Sequence, residues 1–126
     1  MRILTCGSFD LLHVGHIRLL RRARAMGTTL LVGVSVDGLC EAKKGRKPVY
    51  PFRDRVEMVA ALSCVSWTFP EESLEAKRAY IDRFRPDVFV MGDDWAGKFD
   101  DMPCRVVYLP RTEGISTTDT LAQIRG

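Results

Sequence analysis

The sequence predicts a three-layer α/β fold built on a mainly parallel, five-stranded sheet with helices on both faces. The chain has 126 residues, of which 46% are hydrophobic and 28% are charged, as is typical of one folded domain spanning residues 1–126. Short runs rich in Val, Ile and Leu alternate with longer amphipathic stretches. This alternation is typical of strands joined by crossover helices, which make neighbouring strands parallel.

Hydrophobic periodicity and local stop signals place the individual elements. Gly27 follows the last apolar residue of the first helical stripe, and Ser73 is a suitable N-cap for a helix that ends before Pro86. Strands are predicted at residues 2–6, 29–36, 65–69, 87–91 and 105–109. Helices are predicted at residues 16–26, 52–62, 73–85 and 116–124, and a loop is predicted at residues 43–50. This order indicates a Rossmann-like architecture, in which ligands bind beyond the carboxyl ends of the strands.

Composition and charge exclude several classes of protein. The apolar content excludes disorder, and no apolar stretch approaches the roughly 20 residues of a membrane span. A formal net charge of +3 is too small to indicate a nucleic-acid partner, and the first residues are too polar for a secretory signal. The four cysteines, Cys6, Cys40, Cys64 and Cys104, have no C-x-x-C spacing. We therefore expect four free thiols in a cytoplasmic protein.

Both histidines of the chain, His13 and His16, follow the first predicted strand. Residues three apart at a helix start lie on one face, and Gly15 between them leaves room for a ligand to approach the backbone. The free amides of a helix N-terminus add partial positive charge. Two imidazoles beside such amides are suited to a nucleoside polyphosphate. The same pattern also suits two capping or core histidines.

Charged residues follow two other strands of the predicted sheet. Lys44, Arg46 and Lys47 crowd the stretch after the second strand, where they would form a mobile clamp for an anion or only a solvated charge run. Asp93 and Asp94 follow the fourth strand directly. A carboxylate at that position would bind a ribose hydroxyl or would simply belong to a turn.

Arg111 precedes a run that opens the last predicted helix. The run offers hydroxyl groups and backbone amides beside a guanidinium group, a combination that binds phosphates, although Ser116 also suits a simple helix cap. The run consists of Thr112, Glu113, Gly114, Ile115, Ser116, Thr117 and Thr118. We predict that this segment contributes to a nucleotide site.

Three motifs together resemble the cytidylyltransferase branch of the HxGH nucleotidylyltransferases. Residues 7–16 resemble its G-x-F-D-x-x-H-x-G-H motif, and residues 111–118 resemble its R-T-x-G-I-S-T-T motif. Residues 91–95 and 97–100 are similar to bacterial members that act on glycerol 3-phosphate. The resemblance implies transfer of CMP from CTP to glycerol 3-phosphate, by in-line attack of the acceptor phosphate on the α-phosphate, with release of CDP-glycerol and pyrophosphate.

The resemblance also implies roles for single residues. His13, His16, Lys44 and Arg111 would be catalytic, and Lys44 and Lys77 would hold the acceptor phosphate. The nucleotide site would comprise Ser8, Phe9, His13, His16, Arg46, Asp94 and Arg111 with residues 112–118. Mg²⁺ would be bound on the nucleotide phosphates, and the protein would be a homodimer that binds CTP and a small phosphorylated polyol.

The sequence does not decide between several acceptors or between CTP and ATP. Ribitol phosphate, a further polyol phosphate or a phosphonate would present the same anionic nucleophile. Residues 46–49 with Arg55 and residues 61–62 also resemble sugar-phosphate adenylyltransferases of the heptose type, which implies ATP in place of CTP. A nucleotide-binding sensor without catalysis is a third hypothesis, in which CTP would bind but no pyrophosphate would be released.

Overall fold

A computed structural model describes residues 1–111 and 116–125 and shows a five-stranded sheet with the order β3-β2-β1-β4-β5. Every pairing in this sheet is parallel. The strands are β1 (Arg2–Gly7), β2 (Thr29–Ser35), β3 (Trp67–Glu71), β4 (Val88–Gly92) and β5 (Arg105–Leu109). The helices are α1 (Val14–Ala25), α2 (Asp37–Lys44), α3 (Phe52–Ala60), α4 (Lys77–Phe84) and α5 (Thr117–Arg125), with a 3₁₀ turn at Asp93–Trp95. The predicted fold class is confirmed.

The central strand β1 buries both of its faces, which produces three layers. Ile3 packs into the core that contains Leu20 of α1 and Val59 of α3. Its neighbour Leu4 packs into the opposite core, which contains Ile81 of α4. Successive side chains of a strand point to opposite faces, so α1 and α3 cover one side of the sheet and α4 covers the other. Buried parallel strands of this kind have continuous apolar sequences, as predicted.

The strand order places a crevice between β1 and β4. The chain leaves β1 toward β2 on one side, whereas β4 pairs with β1 on the other side. The segments that follow β1 and β4 therefore separate at the carboxyl edge of the sheet, where ligands bind in folds of this type. Residues 8–13 follow β1 and the 3₁₀ turn follows β4.

The prediction of a loop at residues 43–50 is wrong for its first part. Lys43 and Lys44 form the last turn of α2, a helix that the sequence analysis does not predict. The helix ends at Gly45, whose φ of 72° is left-handed and costs glycine little. Ser73 is not an N-cap, because α4 begins only at Lys77. The Ser73 hydroxyl instead accepts a hydrogen bond from the Ala76 N–H in the preceding turn.

Two expectations about the chain can be compared with the described residues. Within 1–111 and 116–125, no helix is both long enough and apolar enough to cross a membrane. Cys6, Cys40, Cys64 and Cys104 are free thiols, as predicted.

Gly33 of β2 lies where a larger side chain should destabilise the fold. A Cβ atom there would lie 2.7 Å from the Phe69 ring and 2.9 Å from Cys6 Sγ, both of which are buried. Gly33→Ala should therefore lower the free energy of unfolding by about 1–3 kcal/mol, measured by urea unfolding. Gly38→Ala is the matched control, because nothing lies within 4 Å of its Cβ position. Equal stability of the two variants would contradict this packing.

Candidate active site

The two histidines cap the N-terminus of α1 and bond to each other's backbone. His13 Nδ1 accepts hydrogen bonds from the N–H groups of Gly15 at 3.1 Å and His16 at 3.4 Å. His16 Nδ1 accepts one from the His13 N–H at 3.2 Å. The two rings stack with their centroids 3.8 Å apart. This is a capping box in which imidazole nitrogens take the places of the usual side-chain oxygens.

The capping bonds determine where each imidazole carries its proton. A nitrogen that accepts a hydrogen bond carries no proton, so each neutral ring is protonated on Nε2, its outer nitrogen. Burial lowers the pKa of His16 to about 3, with smaller contributions from His13 and Lys44. Burial also lowers the pKa of His13, and Lys44 adds to that effect. At neutral pH the pair therefore presents two uncharged N–H donors whose positions are set by the backbone.

A strained turn between β1 and α1 positions the histidines. Phe9 has a φ of 52° and Leu11 a φ of 50°, values that are uncommon outside glycine. The Phe9 ring is buried in the core and lies edge-on to His16, with centroids 5.4 Å apart. A Cβ atom on Gly7 would lie 3.0 Å from that ring. Phe9, predicted to bind nucleotide, therefore supports His16 from the core side.

Asp10 joins three segments of the site. Its buried carboxylate accepts hydrogen bonds from the N–H groups of Val49 at 2.7 Å and Tyr50 at 2.9 Å. Its carbonyl oxygen accepts one from the Thr117 hydroxyl at 2.6 Å. The stretch after α2 and the start of α5 are thereby held against the turn that carries the histidines.

Arg55 of α3 is a second anchor, and its side chain is fully buried. Its guanidinium group donates to the carbonyl of Ser8 at 2.7 Å and to the carbonyl of Tyr50 at 2.9 Å. It also donates to the Asp37 carboxylate at 2.7 Å. Three oxygen partners compensate the cost of burying this charge. Arg55 thus holds the turn after β1, the start of α2 and the stretch before α3 in one arrangement.

Two cavities lie beside these anchors and share Lys44 and Arg46. The smaller cavity is lined by Ser8, Asp10, Cys40, Lys44, Arg46, Lys47 and Pro48. The larger has a volume of about 530 Å³ and is lined by Lys44, Arg46, Thr118, Leu121, Ala122 and Arg125. Its size is typical of a site for a nucleotide-sized ligand. The structure therefore brings together residues predicted from two separate parts of the sequence: Lys44 and Arg46 after the second strand, and Thr118 at the last helix.

Lys44 connects this cavity to the histidine pair. Its positive charge lowers the pKa of both imidazoles. Burial lowers the pKa of Lys44 itself, and the charges of Arg46 and Lys43 lower it further. Positive charges crowded in this way would be relieved by a bound anion. The Ser8 hydroxyl lines the smaller cavity and is buried, with no hydrogen-bond partner in the described part of the chain.

Lys77, Asp94 and Arg111 do not line the larger cavity, and four other predicted site residues lie outside the described chain. Lys77 is buried and its ammonium group bonds to the Glu71 carboxylate. Asp94 is exposed on the 3₁₀ turn. Arg111 is exposed just after β5, where Arg22 of α1 donates to the neighbouring Pro110 carbonyl at 3.2 Å. The predicted residues Thr112, Glu113, Gly114 and Ile115 lie outside the described residues.

Substitution of Asp10 should loosen the stretch after α2. Asp10→Asn replaces one carboxylate oxygen by an NH₂ group that cannot accept from Val49 or Tyr50. We expect a loss of about 1–3 kcal/mol in stability and faster hydrogen exchange at these two amides, measured by NMR. Asp82→Asn on the exposed face of α4 is the control for the chemical change. Unchanged exchange in the Asp10 variant would contradict the anchoring role.

His16 should not titrate near neutral pH. With only two histidines in the chain, the Hε1 NMR signals can be assigned with a His13→Asn variant. We expect no protonation of His16 between pH 8 and 5, because its pKa is lowered to about 3. Unfolded histidine takes up a proton near pH 6.5, so the contribution of His16 to stability should fall by about 1.4 kcal/mol per pH unit as the pH decreases from 6.5 toward 3. A His16 midpoint near 6.5 would contradict the buried, neutral state.

Comparison with known proteins identifies the family of this chain. Residues 4–123 match the protein-family model described as Cytidylyltransferase-like. The glycerol-3-phosphate cytidylyltransferase of Bacillus subtilis (strain 168) is 45% identical over 99% of this chain and 98% of its own length. The enzyme of the same name from Staphylococcus aureus (strain NCTC 8325 / PS 47) is 44% identical over 99% of this chain and 96% of its own length.

A solved structure supports the fold. The lipopolysaccharide core biosynthesis protein from Thermoplasma volcanium GSS1 aligns with a TM-score of 0.78 over 90% of this chain and 98% of that chain, at 22% sequence identity. At this identity the similarity shows a common architecture. The family match, which spans nearly the whole sequence, goes further: this chain belongs to the cytidylyltransferase-like family.

Proposed function

We propose that this chain transfers CMP from CTP to glycerol 3-phosphate and releases CDP-glycerol and pyrophosphate. The observation that carries the proposal is the pair of neutral imidazoles at the start of α1, with Lys44 close to both. The similarity to two glycerol-3-phosphate cytidylyltransferases over nearly their whole length supports the choice of nucleotide and acceptor.

The triphosphate would lie between the histidine pair and the larger cavity. Lys44 and Arg46 would neutralise part of its charge, and the Thr118 side of α5 would close the other wall. Arg111, exposed after β5, would reach the outgoing pyrophosphate. Holding two polyanions next to each other is the main difficulty of this reaction, so charge neutralisation and alignment supply most of the catalysis.

The nucleophile is an oxygen of the acceptor phosphate. It forms a bond to the α-phosphorus of CTP while the bond from that phosphorus to the bridging oxygen breaks, and pyrophosphate leaves with the electron pair. A phosphate monoester has its second pKa near roughly 6, so the nucleophile is already ionised at pH 7 and needs no general base. Nε2 of His13 and Nε2 of His16 would donate to oxygens of the α-phosphate as negative charge develops there.

Neutral imidazoles have an advantage over charged ones in this position. An imidazolium ion beside a phosphate nucleophile would compete for the nucleophile's electron pair by donating its proton. The imidazoles of His13 and His16 keep the Nε2 proton and are already oriented by the capping bonds. The donors therefore need little reorganisation when the transition state forms.

We propose that Mg²⁺ binds to this protein together with the nucleotide. In the part of the chain that the structure describes, no three His, Cys, Asp or Glu side chains gather closely enough to hold a metal ion. The Asp10 carboxylate is already occupied by two backbone amides. The residues present therefore fit an ion held chiefly by phosphate oxygens, where it would neutralise charge on the triphosphate.

A panel of nucleotides and acceptors tests the proposal. CTP and ATP would each be combined with glycerol 3-phosphate, ribitol phosphate and a heptose phosphate in the presence of Mg²⁺, with pyrophosphate release and product mass as the measurements. We expect the highest rate with CTP and glycerol 3-phosphate. A preference for ATP would favour a sugar-phosphate adenylyltransferase, and CTP binding without pyrophosphate release from any acceptor would favour a sensor.

His16→Ala should lower the turnover number by about 10²–10³, the effect of removing one preorganised donor to developing charge. Val14→Ala is the matched control, because Val14 belongs to the same helical turn and is 41% exposed. Circular dichroism should show that both variants fold, since loss of a capping bond costs only about 0.5–2 kcal/mol. Near-normal turnover of a folded His16→Ala variant would contradict the assigned role.

A further inference from the structure

A second cluster of buried charged groups lies at the carboxyl ends of β2 and β3. Its centre is Glu71, which is 0% exposed. Lys77 of α4 donates a hydrogen bond to one carboxylate oxygen of Glu71, and the Ser35 hydroxyl donates to the other at 2.5 Å. Lys43 of α2 donates to Ser35 Oγ at 2.9 Å, and its Nζ atom lies 3.8 Å from Glu71 Oε1.

The Ser35 hydroxyl determines which group donates and which accepts in each hydrogen bond of this cluster. A serine hydroxyl has one proton to donate, and Ser35 donates it to Glu71. Its oxygen lone pairs are then free to accept from the Lys43 ammonium group. The Glu71 carboxylate thus orients the Ser35 hydroxyl, and the hydroxyl in turn holds Lys43. Lys77 supplies the counter-charge on the other side of Glu71.

The cluster carries one positive charge in excess, because two ammonium groups share one carboxylate. Burial lowers the pKa of both lysines, so neither charge is well solvated. A purely structural buried pair would need only Lys77 and Glu71. The additional ammonium group of Lys43 would gain stability from an anion that enters the crevice.

Lys43 is the more exposed of the two lysines in the cluster. Its side chain is 12% exposed, whereas that of Lys77 is 2% exposed. It directly precedes Lys44, which lies close to the histidine pair. The titratable and charged groups that act on Lys43 are Cys40 and Lys44 on its own helix, Cys6 on β1, Arg55 on α3, Asp94 after β4, and Glu71 with its partner Lys77. Lys43 therefore interacts with charged or titratable groups on β1, on α3 and after β4.

We propose that Glu71 is a positioning residue for the acceptor: through Ser35 it holds the Lys43 ammonium group where the phosphate of the acceptor enters. Lys77 keeps Glu71 charged and in place. This inference rests on the proposed function, since it concerns the second substrate of the same reaction. It predicts that Glu71 affects the acceptor and leaves the nucleotide unaffected.

Steady-state kinetics of Glu71→Gln and Ser35→Ala, with each substrate varied in turn, test the inference. Glu71→Gln should raise KM for glycerol 3-phosphate about tenfold or more, as expected for a lost hydrogen bond to a charged group, with kcat and KM for CTP unchanged. Loss of the carboxylate should also lower the pKa of Lys43, so the alkaline limb of kcat/KM for the acceptor should move to lower pH. Glu72→Gln is the matched control, because Glu72 is the adjacent, exposed glutamate.

Ser35→Ala removes the hydroxyl that links Glu71 to Lys43 and leaves the ion pair of Lys77 and Glu71 intact. It should raise KM for the acceptor several-fold. If Glu71→Gln does not fold, KM for the acceptor in Ser35→Ala tests the inference by itself. Equal KM values for the acceptor in Glu71→Gln and Glu72→Gln, or equal increases of KM for both substrates, would overturn the inference. A wild-type protein that forms no CDP-glycerol would instead overturn the proposed function.

Discussion

The reciprocal hydrogen bonds between His13 and His16 are the constraint on which the rest of the site depends. They satisfy amide groups that would otherwise be unpaired at the start of α1, and they use Nδ1 of both rings to do so. The same bonds leave each proton on Nε2, and burial lowers the pKa of both rings so that the pair stays neutral. Structural capping and the proposed contact with phosphate are therefore two consequences of one arrangement, and neither excludes the other.

The remaining interactions bring distant segments to that helix start. Asp10 reaches residues 49–50 and Thr117, and Arg55 reaches the turn after β1 and the start of α2. Both groups are buried ions whose partners are mostly backbone atoms, which orders the backbone without consuming other side chains. The lysine-bearing end of α2 is thus held close to the imidazoles, and the surrounding cations are left without equal negative charge. In the proposed function, the triphosphate of CTP supplies that charge.

The sequence predicts the parallel sheet and the histidine pair better than the buried groups, Asp10 and Arg55, that hold the segments of the site together. The apolar runs predict the parallel sheet because buried strands need no polar alternation, and the spacing of His13 and His16 predicts a shared helix start. Helix α2 escapes prediction because its buried residues are only Leu39 and Cys40, too few to show a period. The functions of Asp10 and Arg55 escape it for another reason: their hydrogen-bond partners lie as far as 107 residues away along the chain, and no local pattern encodes such contacts.

A crystal structure of the protein with CTP and Mg²⁺ measures the central claim most directly. The account predicts that Nε2 of His13 and Nε2 of His16 both lie within hydrogen-bonding distance of oxygens on the triphosphate, with Lys44 beside the same group. A triphosphate bound elsewhere on the sheet edge, with both Nε2 atoms facing solvent or protein, would contradict it.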